Sequence, residues 1–209
     1  VVNFLQSMRE QPGMTSSDRL LAVTTLSFDI AVLELLLPLS TGATVLLAQR
    51  DDVVDGRALR SLLDRHAATT MQATPSTWRM LIDAGWSGHA GFKALVGGEP
   101  LPVDLATQLT ETCGSVWNMY GPTETTVWSS CGPVRDPQAG IDIGRPIANT
   151  RFDVVDAQMR LLPVGAVGEL LIAGEGVTLG YLDRPELTAD RFVADPLGPP
   201  GALRYRTGD

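Results

Sequence analysis

Cysteine and histidine are scarce in this sequence, with two residues of each among 209. Cys113 and Cys131 are too few for a disulfide framework and fit a reducing compartment better. Neither cysteine stands at a metal-ligand spacing from the other, from His66 or from His89, so no zinc motif is present. We therefore expect a cytoplasmic protein in which these four side chains are ordinary buried or loop residues.

Positive charge and long apolar segments are also in short supply. Asp and Glu total 24 against 16 Lys and Arg, which gives a net charge of -8. Nucleic-acid and anionic membrane surfaces need a basic patch, so we expect neither partner. The longest apolar run, residues 30–39, is interrupted by Glu34 and Pro38 and is shorter than the about 20 residues of a membrane span. The 44% hydrophobic content is enough for a core in one or two compact units.

Predicted strands and helices alternate from residue 1 to residue 132. Apolar patterning predicts strands at 19–24, 43–48, 69–73, 94–96 and 115–120. Helices are predicted over 1–12, 30–40, 55–67, 75–84 and 103–112, with Gly42, Thr74-Pro75 and Gly114 among the terminal signals. This βαβα order favours right-handed crossovers and a parallel sheet flanked by helices, a flavodoxin-like α/β subdomain.

The pattern changes after Gly132. Residues 133–209 carry short apolar segments, such as 151–156 and 168–173, separated by Gly, Pro and Asp. Residues 183–190 add one short predicted helix. We therefore predict two subdomains, an α/β subdomain at 1–132 and a β-rich subdomain at 133–209.

Polar or glycine positions follow several predicted strands, at Asp29, Gln72, residues 97–98 and residues 118–124. Because parallel strands end at one sheet edge, where ligands bind in open α/β sheets, these positions should lie close together. The last stretch, Asn-Met-Tyr-Gly-Pro-Thr-Glu, pairs a strand end with a threonine that can bind phosphate, a glutamate that can hold Mg²⁺ and a tyrosine that can stack on a base. From this chemistry alone, a polar turn without a function is an equally good interpretation.

Four motifs, in order, resemble those of the adenylate-forming enzymes, specifically nonribosomal peptide synthetase adenylation domains. They are Leu26-Ser27-Phe28-Asp29, residues 118–124, residues 168–182 and Tyr205-Arg206-Thr207-Gly208-Asp209. The similarity covers essentially the whole chain and implies a barrel-like β-rich subdomain. It also implies an enzyme that uses ATP and Mg²⁺ to convert an amino acid to an aminoacyl-AMP. The acyl group would then pass to the phosphopantetheine thiol of a peptidyl carrier protein.

The resemblance also implies roles for individual residues. Tyr120 would stack on adenine, with Asn118 at the adenine amino group. The other implied nucleotide-binding residues are Gly97, Gly98, Glu99, Gly121, Thr123 at the α-phosphate and Asp209 at the ribose. Thr123 and Glu124 would be catalytic, with Glu124 as the Mg²⁺ ligand.

Asp29 separates two classes of substrate. A carboxylate beside Phe28 in an apolar surround is costly unless it meets a cation. In relatives that activate amino acids, this position pairs with the substrate α-ammonium; Asp29 could also cap the following helix. The residues that correspond to the family's selectivity pocket are Asp29, Ile30, Leu33, Gln72, Val96, Gly98, Met119, Val127 and Trp128. This ordered set resembles the glycine-activating pattern, with Val96 and Met119 as conservative departures. We therefore predict glycine as the substrate and alanine as the second choice.

The family's phosphate loop should lie upstream of Val1, and its C-terminal lid should follow Asp209. We therefore expect a segment of the family's N-terminal core, without a signal peptide and with negligible turnover alone. A small MbtH-like helper protein is a further candidate partner. Two alternatives stay open: an acyl-coenzyme A synthetase-like ligase, which Asp29 disfavours, and a non-catalytic module that binds nucleotides or amino acids.

Overall fold

The computed structural model describes residues 1–209, which divide into two units. The larger unit comprises Leu5–Tyr120 and Ser130–Arg145. The smaller unit comprises Val1–Phe4, Gly121–Ser129 and Pro146–Asp209, so it is assembled from three separate stretches of chain. The proposed domain boundary at residues 132 and 133 stays a prediction.

Alternating strands and helices build the larger unit around a seven-stranded sheet. Its strands are β1 (Arg19–Ala22), β2 (Thr44–Leu47), β3 (Thr70–Ala73), β4 (Lys93–Gly97), β5 (Ser115–Tyr120), β6 (Ser130–Pro133) and β7 (Arg145–Pro146), in the order β2-β1-β3-β4-β5-β6-β7. The helices of this unit are α2 (Ala31–Thr41), α3 (Arg50–Val53), α4 (Gly56–Arg65), α5 (Pro75–Asp83) and α6 (Val103–Thr112), while α1 (Val2–Met8) is divided between the two units after Phe4. Strands β1 to β5 pair in parallel, and β6 runs antiparallel to β5. The predicted α/β class is confirmed.

Buried side chains of the hydrophobic core pack against both faces of this unit's sheet. All four residues of β3 are buried, which requires apolar cover on each side. An aromatic cluster forms part of that cover: the ring of Trp86 lies 5.6 Å from Trp78 and 5.0 Å from Phe92, between centroids. Tilted and edge-on rings at these distances add about 0.5–1.5 kcal/mol per pair beyond the area that they bury.

Local signals explain where the helices begin and end. The Asp55 carboxylate accepts hydrogen bonds from the N–H groups of Arg57 and Ala58 at 2.8 and 3.2 Å, which starts α4. The predicted cap at Thr74 is confirmed, because its hydroxyl accepts from the Thr77 N–H and Pro75 opens α5. Gly42, at φ 76°, ends α2 in the left-handed conformation that glycine tolerates.

Three sequence-based expectations were wrong in detail. The first helix ends at Met8. Residues Arg9–Gly13 follow it as π-type turns broken at Gln11, whose φ of -145° and ψ of 124° are extended, and Pro12 has no N–H to continue α-helical bonding. Helix α6 ends at Thr112 and Cys113, the next residue, is extended, so Gly114 does not close the helix. The sequence also gave no sign of β6, whose Cys131, Gly132 and Pro133 have little strand propensity and owe their conformation to pairing with β5.

The smaller unit contains a four-stranded antiparallel sheet. Its strands are β8 (Thr150–Val155), β9 (Glu169–Gly174), β10 (Phe192–Ala194) and β11 (Leu203–Arg206), in the order β10-β11-β9-β8, and α7 spans Pro185–Arg191. Asp153, buried in β8, binds Arg151 at 2.9 Å and Arg204 at 3.3 Å, and Arg151 also reaches Asp195 at 2.6 Å. Arg204 is buried and its ion pair is with Asp153, so the loss of Asp153 would leave a buried charge uncompensated. The longest α-helix of the chain, α2, has 11 residues, and none has the length and hydropathy of a membrane span.

Candidate functional site

The carboxyl ends of three parallel strands bring several predicted site residues to one edge of the larger unit's sheet. Ala73 of β3 pairs with Val96 of β4, which pairs with Asn118 of β5, and Gly97 pairs with Met119 in the next row. Val96, Asn118 and Met119 are buried, as is Gln72, one residue before Ala73. The structure therefore gathers these positions as the strand order implied, while their ligands stay predictions.

A second group of predicted pocket residues meets where α2 begins. Gly98 has φ +83°, and a Cβ built there would lie 3.7 Å from Ile30 Cδ1. The Gln72 side-chain amide donates from Nε2 to the carbonyl oxygen of Ile30 at 3.2 Å. Leu33 is fully buried one turn further along the helix. The larger unit thus brings Ile30, Gln72 and Gly98 into one cluster.

Sequence reasoning missed the carboxylate of that cluster. Glu34 has 0% exposure, and its oxygens accept hydrogen bonds from Thr24 Oγ1, from Gln72 Nε2 and from the N–H groups of Val23 and Thr24. Burial raises the pKa of Glu34 above its ordinary value, and the four donors oppose that rise. One signal was present in the sequence: a lone carboxylate within an apolar run must find buried donors if that run is buried.

Asp29 differs from the sequence interpretation in two respects. Its carboxylate does not cap α2, because the N-cap residue is Ile30 and no side chain supplies a capping bond. Asp29 contributes its backbone carbonyl instead, which accepts from the Val32 N–H at 2.9 Å. Phe28 is 46% exposed, so the surround is less apolar than the sequence suggested. Asp29 itself is half-buried and stays accessible to a ligand.

The predicted nucleotide-binding residues of this unit have different degrees of exposure. Asn118 donates from Nδ2 to the carbonyl oxygen of Asp142 at 2.7 Å, which orients the amide, so that its oxygen is the atom that could accept a hydrogen bond from a ligand. Glu99 is exposed and accepts from Ser76 Oγ at 2.8 Å. Tyr120, at the end of β5, is half-buried.

In the smaller unit, Thr123 and Glu124 lie on a short 3-10 turn, Thr123–Thr125. The Glu124 carboxylate accepts a hydrogen bond from the Tyr181 hydroxyl, and its backbone carbonyl accepts from the Thr178 N–H at 2.9 Å. Thr126 Oγ1 donates to the Gly176 carbonyl at 2.7 Å, so residues 176–181 hold the turn at three points. Thr123 stays exposed.

Tyr181 is the second residue that sequence reasoning missed, although it lies in the third motif. The Tyr181 hydroxyl is 3.4 Å from that of Tyr205. The Phe192 ring packs edge-on against the Tyr181 ring, with 5.5 Å between the ring centroids. Burial raises the pKa of both tyrosines, and the Tyr181 bond to Glu124 raises it further for Tyr181. Tyr181 therefore stays protonated and can orient the Glu124 carboxylate as a donor.

The stretch after the turn has an unusual backbone. Thr126 and Val127 have φ of 69° and 67°, a left-handed conformation that is costly for β-branched residues. The side chains of Val127 and of the next residue, Trp128, are buried in this conformation. Gly121 makes this path possible, because a Cβ there would lie 2.5 Å from Ser129 N and 2.6 Å from the Val127 carbonyl oxygen.

Replacing Gly121 by alanine should therefore destabilise the chain by about 2–4 kcal/mol, because backbone atoms would have to move. Urea denaturation of the 209-residue chain would measure the change. Gly201→Ala is the matched control: φ is +85° there and nothing lies within 4 Å of the added Cβ, so only a backbone cost of about 1 kcal/mol is expected. Equal losses in the two variants would contradict the steric argument.

Asp209 is exposed at the end of the smaller unit's sheet. Its carbonyl oxygen accepts from the Leu170 N–H at 3.0 Å, and its own N–H donates to Thr207 Oγ1 at 3.0 Å. Nearby, Arg206 binds Glu169 through two hydrogen bonds, at 2.7 and 3.2 Å. The backbone of Asp209 is therefore fixed while its carboxylate faces an open polar groove.

Comparison with known proteins agrees with this arrangement. The family model for AMP-binding enzymes matches residues 1–182. A dimodular nonribosomal peptide synthase of Bacillus subtilis (strain 168) is 47% identical over 208 residues, which is 99% of this chain and 9% of that protein. Tyrocidine synthase 3 of Brevibacillus parabrevis is 40% identical over 100% of this chain and 3% of its own length.

Solved structures show the same fold. A four-domain nonribosomal peptide synthetase bound to AMP and glycine superposes with a TM-score of 0.94 at 48% identity, over 100% of this chain and 16% of its own. A second synthetase, in an AMPPNP-bound form, gives a TM-score of 0.88 at 33% identity, over 99% of this chain and 23% of its own. The chain thus spans a small part of each relative. Because the family model covers residues 1–182, this chain belongs to the AMP-binding enzymes.

Proposed function

We propose that the chain is part of an amino-acid-adenylating ligase of nonribosomal peptide synthesis. The carboxylate of the amino acid attacks the α-phosphorus of ATP, the bond to the β-phosphate oxygen breaks, and pyrophosphate leaves as aminoacyl-AMP forms. The phosphopantetheine thiol of a peptidyl carrier protein then attacks the acyl carbon, the acyl–phosphate bond breaks, and AMP and the thiol proton leave as the thioester forms. The observation that carries this proposal is the 48% identity, over the whole chain, to a synthetase whose structure contains AMP and glycine.

The main barrier to this reaction is electrostatic, because one anion must approach another. Thr123, exposed on its turn, can donate a hydrogen bond to the α-phosphate as charge shifts toward the leaving group. Asp29 can hold the substrate's ammonium group, which positions the attacking carboxylate. Tyr120 and Asn118 would bind the adenine, and Asp209 the ribose hydroxyls.

The Glu124 side chain has the chemistry of an Mg²⁺ ligand, because its carboxylate oxygens can bind this cation. No group of three or more His, Cys, Asp or Glu side chains is placed to hold a metal ion. Mg²⁺ does not need such a group, since it commonly binds through one or two carboxylates together with substrate phosphates and water. When bound, it would neutralise phosphate charge. Tyr181 keeps the Glu124 carboxylate oriented for that role through its hydrogen bond.

Glycine is the amino acid that the pocket residues support best. Leu33, Gln72 and Met119 of the larger unit are bulky and buried, so a pocket that they line would have little volume beyond the substrate Cα. Alanine is second, because one methyl group changes binding by only about 1–3 kcal/mol in such a pocket. An MbtH-like helper and a cytoplasmic location stay predictions.

Amino-acid-dependent ATP–pyrophosphate exchange tests the proposal. The assay uses a chimera in which residues 1–209 replace the equivalent segment of a homologous full-length adenylation domain. We expect glycine to give the highest exchange among the twenty amino acids, with alanine about 10- to 200-fold lower in kcat/KM. Highest exchange with a large amino acid would overturn the glycine assignment and keep the reaction. A folded chimera without exchange for any amino acid would overturn the reaction and favour an acyl ligase or a binding module.

A further inference from the structure

The buried carboxylate of Glu34 has a hydrogen-bond environment made of donors alone. Oε2 accepts from the N–H groups of Val23 and Thr24 at 2.8 and 2.9 Å, and Oε1 accepts from Thr24 Oγ1 at 2.6 Å and Gln72 Nε2 at 3.2 Å. Such a set favours an ionised carboxylate and penalises any group that presents its own hydrogens. Glu34 therefore ties together α2, the loop after β1, and β3.

The side chain of Gln72 is fixed by this arrangement. Its Nε2 lies 3.2 Å from two acceptors, Glu34 Oε1 and the Ile30 carbonyl oxygen. A flipped amide would place its oxygen against both acceptors, so only one orientation is stable. Without Glu34, one of the two anchors is lost, and the long side chain of Gln72 regains rotamer freedom.

Gln72 is a proposed pocket residue, and Ile30 and Gly98 lie beside it. We propose that Glu34 is a positioning residue that holds Gln72 as a rigid pocket wall and thereby sets the discrimination between glycine and alanine. This inference rests on the proposed function. Glu34 acts through Gln72, so loosening Gln72 by any route should open room for the alanine methyl group.

A double-mutant cycle in the chimera tests the inference, with the ratio of kcat/KM for glycine to that for alanine as the readout. Glu34→Gln places an amide NH₂ among four donors. The backbone N–H groups of Val23 and Thr24 can only donate, so the new amide oxygen should face them and its NH₂ should face Gln72, which loses this anchor. Gln72→Met keeps the length and approximate volume of the side chain but loses both hydrogen bonds. Each variant should lower the ratio about fivefold or more. The double variant should match Gln72→Met alone, because Glu34 has no further effect once its partner is gone.

The ratio separates positioning from general damage, since a misfolded fraction lowers both kcat/KM values equally. Glu111→Gln, an exposed carboxylate on α6, is the matched control and should leave the ratio unchanged. If Glu34→Gln does not fold, Glu34→Asp keeps the charge and shortens the reach by one methylene, with the same expected fall. An unchanged ratio in Gln72→Met, or additive effects in the double variant, would overturn the inference. A wild-type chimera that does not use glycine would instead overturn the proposed function.

Discussion

Replacing Asp29 by asparagine in the chimera is expected to lower kcat/KM for glycine about 100-fold or more, equivalent to about 2.7 kcal/mol. The amide keeps the size of the side chain and removes the charge that the substrate's ammonium group would meet. The loss should be visible in amino-acid-dependent ATP–pyrophosphate exchange. Because Asp29 is half-buried and does not cap α2, the variant should keep its melting temperature within a few degrees.

Acetate, which is glycine without the amine, makes this test specific for the ammonium group. The wild-type chimera should strongly prefer glycine to acetate in the exchange assay. Asp29→Asn should lower the ratio of kcat/KM for glycine to that for acetate. Asp51→Asn, at an exposed carboxylate of α3, is the control and should behave as wild type. If Asp29→Asn reduced the two activities equally, Asp29 would contribute to catalysis or folding without binding the ammonium group. That result would also restore weight to an acyl-ligase interpretation.

The parts of the site that could be predicted depend on signals close together in sequence. Thr74-Pro75 starts a helix and Gly42 ends one because capping depends on the chemistry of one or two residues. The grouping of Gly97 with Met119 followed from strand order alone, since parallel strands end at a common edge. None of this required knowledge of distant contacts.

The rest depends on partners that are far apart in the chain. Glu34 and its hydrogen-bond partner Gln72 are 38 residues apart in the sequence, and Tyr181 and its partner Glu124 are 57 residues apart. No local pattern specifies either pair, although a carboxylate within a buried apolar run predicts that hydrogen-bond donors lie around it. The left-handed backbone of Val127 is likewise set by its neighbours, because β-branched residues do not choose that conformation on their own.

The two missed residues have a common physical role, since each one orients a polar group of the proposed site. The Glu34 carboxyl group accepts a hydrogen bond from the Gln72 amide, and the Tyr181 hydroxyl donates one to the Glu124 carboxylate. Glu34 is fully buried, where an unpaired polar group is more costly, whereas Tyr181 is half-buried. Residue lists built from ligand contacts alone would omit both.

Glu124→Gln in the chimera is expected to lower the maximal rate of glycine-dependent exchange about 100-fold and to raise the half-saturating Mg²⁺ concentration at least about 10-fold. The glutamine oxygen can still accept from the Tyr181 hydroxyl, and the Thr178 bond is to the backbone, so the 3-10 turn should persist. The substitution therefore removes charge at the phosphates while keeping the local structure. An Mg²⁺ titration of the exchange rate at saturating ATP and glycine gives both quantities.

Two further variants separate the effect of the Glu124 charge from the effect of its orientation by Tyr181. Tyr181→Phe keeps the carboxylate charge and removes its donor, so it should shift the Mg²⁺ dependence less, by about 10-fold or below. Glu175→Gln, an exposed carboxylate in the same unit, should leave the titration unchanged. If Glu124→Gln lost activity with an unaltered Mg²⁺ dependence, Glu124 would not be the metal ligand. If Tyr181→Phe matched Glu124→Gln in full, orientation of the carboxylate rather than its charge would limit the reaction.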